Sequence, residues 1–391
     1  MSDIYSEALA LYDYTQSLRR DFHMHPELGF QEIRTAGIVA RELAHLGLEV
    51  STGIAGTGVI ALLGGVKPGP VVLVRADMDA LQIVEDTGAE YASQTKGTMH
   101  ACGHDAHTAI LLTVARLLNT HRKELNGTVK LIFQPAEEGM GGAEKMIESG
   151  VLENPRPDIS LALHVWNELP VNYVGIAPGP VMAGAEIFQI KIIGKGGHGA
   201  VPNLAIDPIL AAAQIVNALQ GIVARNVPPL QTAVVSVCTI HGGEMFNVIP
   251  PVVEMTGTIR TFDAGVRSTV LTRFEKTINA TAEAMGCHAE INIQRLTPTT
   301  INDPIVAARI QKTAQSLYPD AAVITSNYTT MGSEDFAFIL EKIPGCFFFI
   351  GTANTEKELS AAHHNPKFDI DETALPRAVA LMTSAVMDFL S

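Results

Sequence analysis

The densest run of reactive side chains is MHACGHDAH at 99–107, where Cys102 and His104 flank Gly103. Thiolate and imidazole are the donors that borderline transition metals such as zinc prefer. A plainer reading is a buried cysteine beside a helix-capping histidine. His100, Cys102, His104 and His107 crowd together just ahead of an apolar helical pattern, which weighs toward a metal. His107 shares the helix face of His104 and either supports it or packs. His100 is open in the same way.

Glu137 and Glu138 follow the apolar run VKLIFQ (129–134). Adjacent carboxylates repel, so a solvated turn is the plain reading, and Pro135 with Gly139, Gly141 and Gly142 marks such a turn. The chemical reading divides the labour. One carboxylate binds metal, and its neighbour takes a proton from water, whose pKa a metal lowers from 15.7 to about 7. His164 ends the apolar run SLALHV (160–165), with a hydrogen-bonded core histidine as its alternative. His363 and His364 precede Asn365-Pro366; in an extended segment their rings point oppositely, leaving one for a cleft.

These residues recur just after apolar runs of strand length. VVLVRA (71–76) leads into Asp77 and Asp79, VKLIFQ into the glutamate pair, and FFFI (347–350) into the loop carrying the paired histidines. In open α/β sheets ligands bind beyond the carboxyl ends of the strands, so residues distant in sequence can meet there. Helical periodicity covers 30–46, 105–118, 304–318 and 373–390, alternating with strands at 59–64, 71–76, 129–134, 160–165 and 346–350. That alternation predicts an α/β domain with a central mixed sheet covered by helices. A separate block, 183–297, reads as strand 186–195, helix 205–223, strands 232–240 and 252–261, helix 266–285 and strand 288–294. This β-α-β-β-α-β order is the ferredoxin-like plan. The expectation is a discontinuous catalytic domain, 1–182 and 298–391, with 183–297 inserted as an α+β domain.

A chain of 391 residues, 47% hydrophobic and 17% charged, is long enough for two cored domains and too apolar for global disorder. The net charge of −14 argues against nucleic acid or an anionic membrane as partner, since both would be repelled. MSDIYSEALALYDYTQ lacks the basic and apolar regions of a signal peptide, and no apolar run reaches membrane-span length. Cys102, Cys238, Cys287 and Cys346 lie far apart and form no disulfide framework, so a reducing cytoplasm is expected. No G-x-S-x-G nucleophile elbow occurs.

With these residues in view, the sequence resembles the aminoacylase/carboxypeptidase family of dinuclear metallohydrolases, and within it the hippurate hydrolase and indoleacetyl-amino-acid hydrolase branch. The carrying motifs are FHMHPELGFQE (22–32), VRADMDAL (74–81), MHACGHDAHTA (99–109), FQPAEEG (133–139) and ALHV (162–165). GKGGHGAVPN (194–203), FNVIP (246–250), GTIRTF (257–262), MGSEDFAF (331–338) and HHNPKFD (363–369) follow in family order. The resemblance implies two divalent metal ions per subunit (Zn, Mn, Co or Ni), held by Cys102, His104, Glu138, His164 and His364, with Cys102 bridging. It implies Glu137 as general base. The wider family has His-x-Asp where this chain reads Asp77-Met78-Asp79, so His104 takes over as ligand and Asp79 orients an imidazole.

By the same resemblance the inserted block is a lid and dimerisation domain, implying a homodimer or a larger homo-oligomer. His198 would reach the partner subunit's active site and stabilise an oxyanion, while Asn247, Arg260 and Gly332 hold substrate. An Arg fork suits a carboxylate, although an exposed strand-end arginine is the plain reading of Arg260. The implied activity is hydrolysis of an N-acyl (acetyl- or benzoyl-type) amino acid to a carboxylic acid and a free amino acid. A carboxypeptidase or dipeptidase is the rival within the chemistry, with Glu334 or Asp335 available to bind a free ammonium. A non-catalytic metal-binding protein retaining the fold is the rival outside it.

Overall fold

The run Val72–Asp77 is buried along its whole length because its strand lies in the middle of a sheet. The structure, a computed structural model, describes residues 4–318, 322–324, 326 and 328–391. Two units form: Met1–Val181, Thr300–Tyr328 and Asp335–Ser391 make the first, and Met182–Thr299 with Thr329–Glu334 the second.

The first unit is built on strands β1 (Glu49–Ile54), β2 (Gly58–Gly64), β3 (Lys67–Asp77), β4 (Asn126–Gln134), β5 (Ile159–Pro170), β6 (Tyr173–Gly175), β7 (Ala322–Ile324) and β8 (Gly345–Ala353). Their order across the sheet is β1-β2-β4-β3-β5-β8-β6-β7. Strands β4, β3, β5 and β8 run parallel to one another, as do β6 and β7, whereas β1–β2, β2–β4 and β8–β6 pair antiparallel. The sheet is therefore mixed, with a parallel centre whose carboxyl ends face one way.

Helix α1 (His104–Thr120) is buried nearly all round, and its Ala106, Ile110 and Leu117 join Val72, Val74, Leu131 and Leu163 in the core. Its one acidic residue, Asp105, is also buried, and accepts Arg19 Nε at 2.8 Å and His23 Nδ1 at 2.7 Å. Both partners come from the helix Tyr12–Met24, which sequence periodicity did not mark.

The second unit runs strand Gly184–Ile193, helix Pro208–Asn226, strands Ala233–His241 and Val252–Thr261, helix Ala264–Ala284 and strand His288–Thr297. The four strands are antiparallel, in the spatial order second, third, first, fourth. This is the ferredoxin-like arrangement. Phe188, Ile190 and Ile192 point to the core while Ile187, Gln189 and Lys191 are exposed, as the alternation requires.

Three expectations change. The helix expected from residue 30 begins at Ile33, because Phe30 sits at φ 61°, outside helical backbone. Residues 329–334 cluster with the second unit, where Ala183 donates its N–H to Gly332 O at 2.9 Å, although pattern assigns all of 298–391 to the first. His363 and His364 lie in a turn, not an extended segment, with His364 at φ 64°.

Candidate metal centre

Loops from the carboxyl ends of β3, β4 and β8 converge on the start of α1 and on His164 of β5. Gly103 makes the approach of α1 possible. It holds φ 88°, and a Cβ there would stand 2.3 Å from Val165 Cγ2 on β5. His364 is tied to the same corner by its N–H, which donates to Ala101 O at 2.8 Å.

The donor atoms of Cys102, His104 and His164 lie within 4.8 Å of one another, as do those of Cys102, Glu138 and His364. Cys102 belongs to both groups. A third group joins His104 to Glu137 and Glu138. Cys102 Sγ is 3.5 Å from His164 Nε2, and His364 Nε2 is 3.2 Å from Glu138 Oε1.

The imidazoles are already set for coordination. His104 Nδ1 donates to the carbonyl of Asp79 at 2.9 Å and lies 3.2 Å from its Oδ1, while His164 Nδ1 donates to Val165 O at 2.6 Å. Each ring therefore keeps a proton on Nδ1 and presents Nε2 to the cluster. His104 Nε2 and Glu138 Oε1 are buried without a hydrogen-bond partner. Unsatisfied buried polar atoms are costly, and a cation here would remove that cost. The sulfur, nitrogen and oxygen donors suit a borderline divalent metal.

The electrostatics agree. Burial pushes the His104 pKa down, but Asp77, Asp79 and Glu138 outweigh it and raise it to about 10. Burial, together with Glu138, Glu137 and Asp77, drives the Cys102 thiol well above its usual range. Burial is the larger cause for Cys102, but the same carboxylates act on both groups, and a bound cation would neutralise their field.

The surrounding residues were only partly foreseen. Asp79 supports His104 and also accepts the Glu138 N–H through Oδ2 at 3.0 Å. His107, open between support and packing, accepts the Val165 N–H on Nε2 at 2.9 Å and donates from Nδ1 to Asp77 at 2.6 Å. His100 is buried with both ring nitrogens unpartnered. His363 donates from Nε2 to Val165 O at 3.0 Å and stacks on Trp166, so its ring is engaged away from the cluster. Sequence reading missed Glu32, Arg75 and Gln134. Glu32 Oε1 accepts the N–H of Ala136, which stands at φ 54° directly before the glutamate pair. A charge closing an apolar strand pattern, as Arg75 does in VVLVRA, was the available signal.

Asp335, considered as an ammonium site, does not suit that role. It is 2% exposed, and its carboxylate accepts from Arg75, Gln134 and Ala143.

The remaining expected site residues belong to the second unit. His198 pairs with Val248 in a short two-stranded ribbon, and its Nδ1 accepts the Ala200 N–H at 3.0 Å. Beside it the Asn247 carbonyl accepts the Gly199 N–H at 2.8 Å. Arg260 is half-buried and donates from Nη1 to Ser333 Oγ at 2.6 Å, next to Gly332, whose N–H lies 3.3 Å from Thr330 Oγ1. Burial lowers the Arg260 pKa, partly offset by Glu186.

The chain is 43% identical to the N-acetylcysteine deacetylase of Bacillus subtilis (strain 168), over 92% of each chain. It is 40% identical to thermostable carboxypeptidase 1 of Saccharolobus solfataricus, over 93% of this chain and 92% of that one. Among solved structures it matches a Bacillus subtilis protein described as a dinuclear metal binding peptidase from the M20 family. That match has a TM-score of 0.85 and 38% identity, covering 97% of this chain and 99% of the other. Donor geometry, sheet topology and sequence agree: the chain belongs to peptidase family M20/M25/M40, whose model matches residues 73–388.

Proposed function

We propose that this chain is a metal-dependent amidohydrolase that cleaves the amide bond of N-acyl amino acids, releasing a carboxylic acid and a free amino acid. The observation that carries the reading is the division of the glutamate pair. Glu138 lies 3.2 Å from His364 and shares a donor group with Cys102 and His364, whereas Glu137 Oε1 takes the Asp335 N–H at 3.3 Å, beside the cluster.

In this reading Cys102, His104, Glu138, His164 and His364 would hold two divalent ions (Zn, Mn, Co or Ni), with Cys102 belonging to both donor groups. When bound, the ions would supply the charge that polarises a carbonyl and acidifies water. Glu137 accepts the proton of the attacking water and passes it to the leaving amine. Arg260, Asn247 and Gly332 hold the substrate, Arg260 through its planar fork on the carboxylate. His198 steadies the oxyanion in the partner subunit of a homodimer formed through the inserted unit; losing one such donor typically costs about 100- to 1,000-fold in turnover. The enzyme works in a reducing cytoplasm, which keeps the Cys102 thiolate available. The deacetylase relative supports an N-acyl amino acid as substrate.

Glu137→Gln is the test: metal content stays and nearly all turnover goes. Substantial retained turnover would remove Glu137 as the base.

A second reading, a carboxypeptidase acting on short peptides, is favoured by the relative named for that activity. Rates on N-acetyl and N-benzoyl amino acids against the matching dipeptides decide between them. With Asp335 taken up by Arg75, Gln134 and Ala143, Glu334 is the ammonium partner that the peptide reading would need.

A further inference from the structure

Arg75 follows the apolar run 71–74 near the end of β3, and a guanidinium that is 2% exposed needs full pairing. Its Nη1 donates to Asp77 Oδ2 at 2.5 Å, Nη2 to Asp335 Oδ1 at 3.0 Å, and Nε to Gln134 Oε1 at 3.0 Å. Gln134 in turn donates from Nε2 to Asp335 Oδ1 at 2.7 Å, and the Ala143 N–H reaches Asp335 Oδ2 at 2.9 Å. Gln134 lies just before the Glu137-Glu138 turn and Ala143 just after it. One buried carboxylate therefore fastens both feet of the turn that carries the glutamate pair.

The same residue touches the pair directly. The Asp335 backbone N–H donates to Glu137 Oε1 at 3.3 Å. Buried ion pairs contribute little net stability compared with apolar packing, so stability alone is a weak reason for three fully buried polar side chains here. Geometry is a stronger one. The turn is tight: a Cβ on Gly142 would lie 1.7 Å from Pro135 O, so a shift at either foot moves the carboxylates themselves.

We propose that Asp335 is a positioning residue for Glu137: its carboxylate, braced by Arg75 and Gln134, sets the turn, and its N–H fixes the orientation of the Glu137 carboxylate. The proposal rests on the reading of Glu137 as the base. Asp335 itself touches no reacting atom. A misplacement near 1 Å at a reacting centre costs roughly 100-fold, which sets the scale of the effect.

The test is a double-mutant cycle on the metal-loaded enzyme, with an N-acetyl amino acid as substrate. Asp335→Asn keeps size but sets an amide against the donors of Arg75, Gln134 and Ala143. The expected result is a kcat lower by about 10- to 100-fold, with KM within about twofold of wild type and metal content unchanged by elemental analysis. In a Glu137→Gln background, read at high enzyme concentration, Asp335→Asn should slow the residual rate no further. A wild-type kcat, a loss of bound metal, or losses that multiply in the double variant would each overturn the proposal. Should Asp335→Asn fail to fold, Gln134→Met replaces it in the cycle. That change unbraces Asp335 without touching Asp77 and should give the same pattern; an unaffected kcat would overturn the proposal equally. Glu137→Gln alone reads the underlying assignment: if that variant turns over normally, the base assignment and the positioning role fall together. If it is inactive while the losses multiply, only the positioning role falls.

Discussion

One oxygen of Asp79 accepts the backbone N–H of Glu138 at 3.0 Å. The other stands 3.2 Å from His104 Nδ1, so one carboxylate orients two of the proposed metal ligands, one at the start of α1 and one in the loop after β4. Asp79→Ala should weaken metal binding by about 10- to 100-fold, the usual cost of losing such a support. Equilibrium dialysis against a buffered metal series reads this, and unchanged affinity would show that His104 and Glu138 hold their places without Asp79.

Cys102 alone lies in both the His104–His164 and the Glu138–His364 donor groups. Cys102→Ala should therefore empty both positions, whereas His164→Ala or His364→Ala should each lower the metal content by about one ion per subunit. Elemental analysis of the three purified variants checks the pattern. Equal stoichiometry in all three would argue against a shared thiolate.

Gly103→Ala combines a backbone penalty at φ 88° with a Cβ 2.3 Å from Val165 Cγ2. Strain and overpacking together predict about 2–4 kcal/mol of destabilisation. Because His104 and Cys102 flank this residue, metal retention should fall along with the denaturation midpoint.

His121 follows the end of α1 and is held between Glu124, at 2.8 Å from Nδ1, and Glu7, at 2.8 Å from Nε2. Burial pushes its pKa down, but Glu124 and Glu7 outweigh burial and raise it above the ordinary 6.5. A histidine raised on folding adds stability that is complete below the unfolded pKa and fades as pH climbs through the folded one. The gap in urea midpoint between wild type and His121→Gln should therefore be widest near pH 6 and narrow as the pH rises past the raised value. A gap that widens with pH would reverse the sign.

Much of the architecture was legible because burial imposes periodicity. Helix 105–118 differs from the observed His104–Thr120 only at its ends, and the β-α-β-β-α-β order of 183–297 could be read directly, since each element buries one face. The helix Tyr12–Met24 was not, because the side chains it buries include Thr15, Arg19 and His23, which an apolar count passes over. Strand β1 escaped for a related reason: it is an edge strand with no fully buried residue.

The types and local spacing of the donors, Cys102 with His104 and Glu137 with Glu138, are properties of the chain itself; the first pair pointed to a metal, and the family resemblance made a hydrolase the expectation. Which atoms meet is a matter of tertiary structure. Arg75, Gln134 and Asp335 reveal nothing of their partnership in sequence, since β3, β4 and the loop before β8 come together only when the sheet forms. Side-chain type is local, whereas hydrogen bonds between residues far apart along the chain depend on how the backbone has already been brought together.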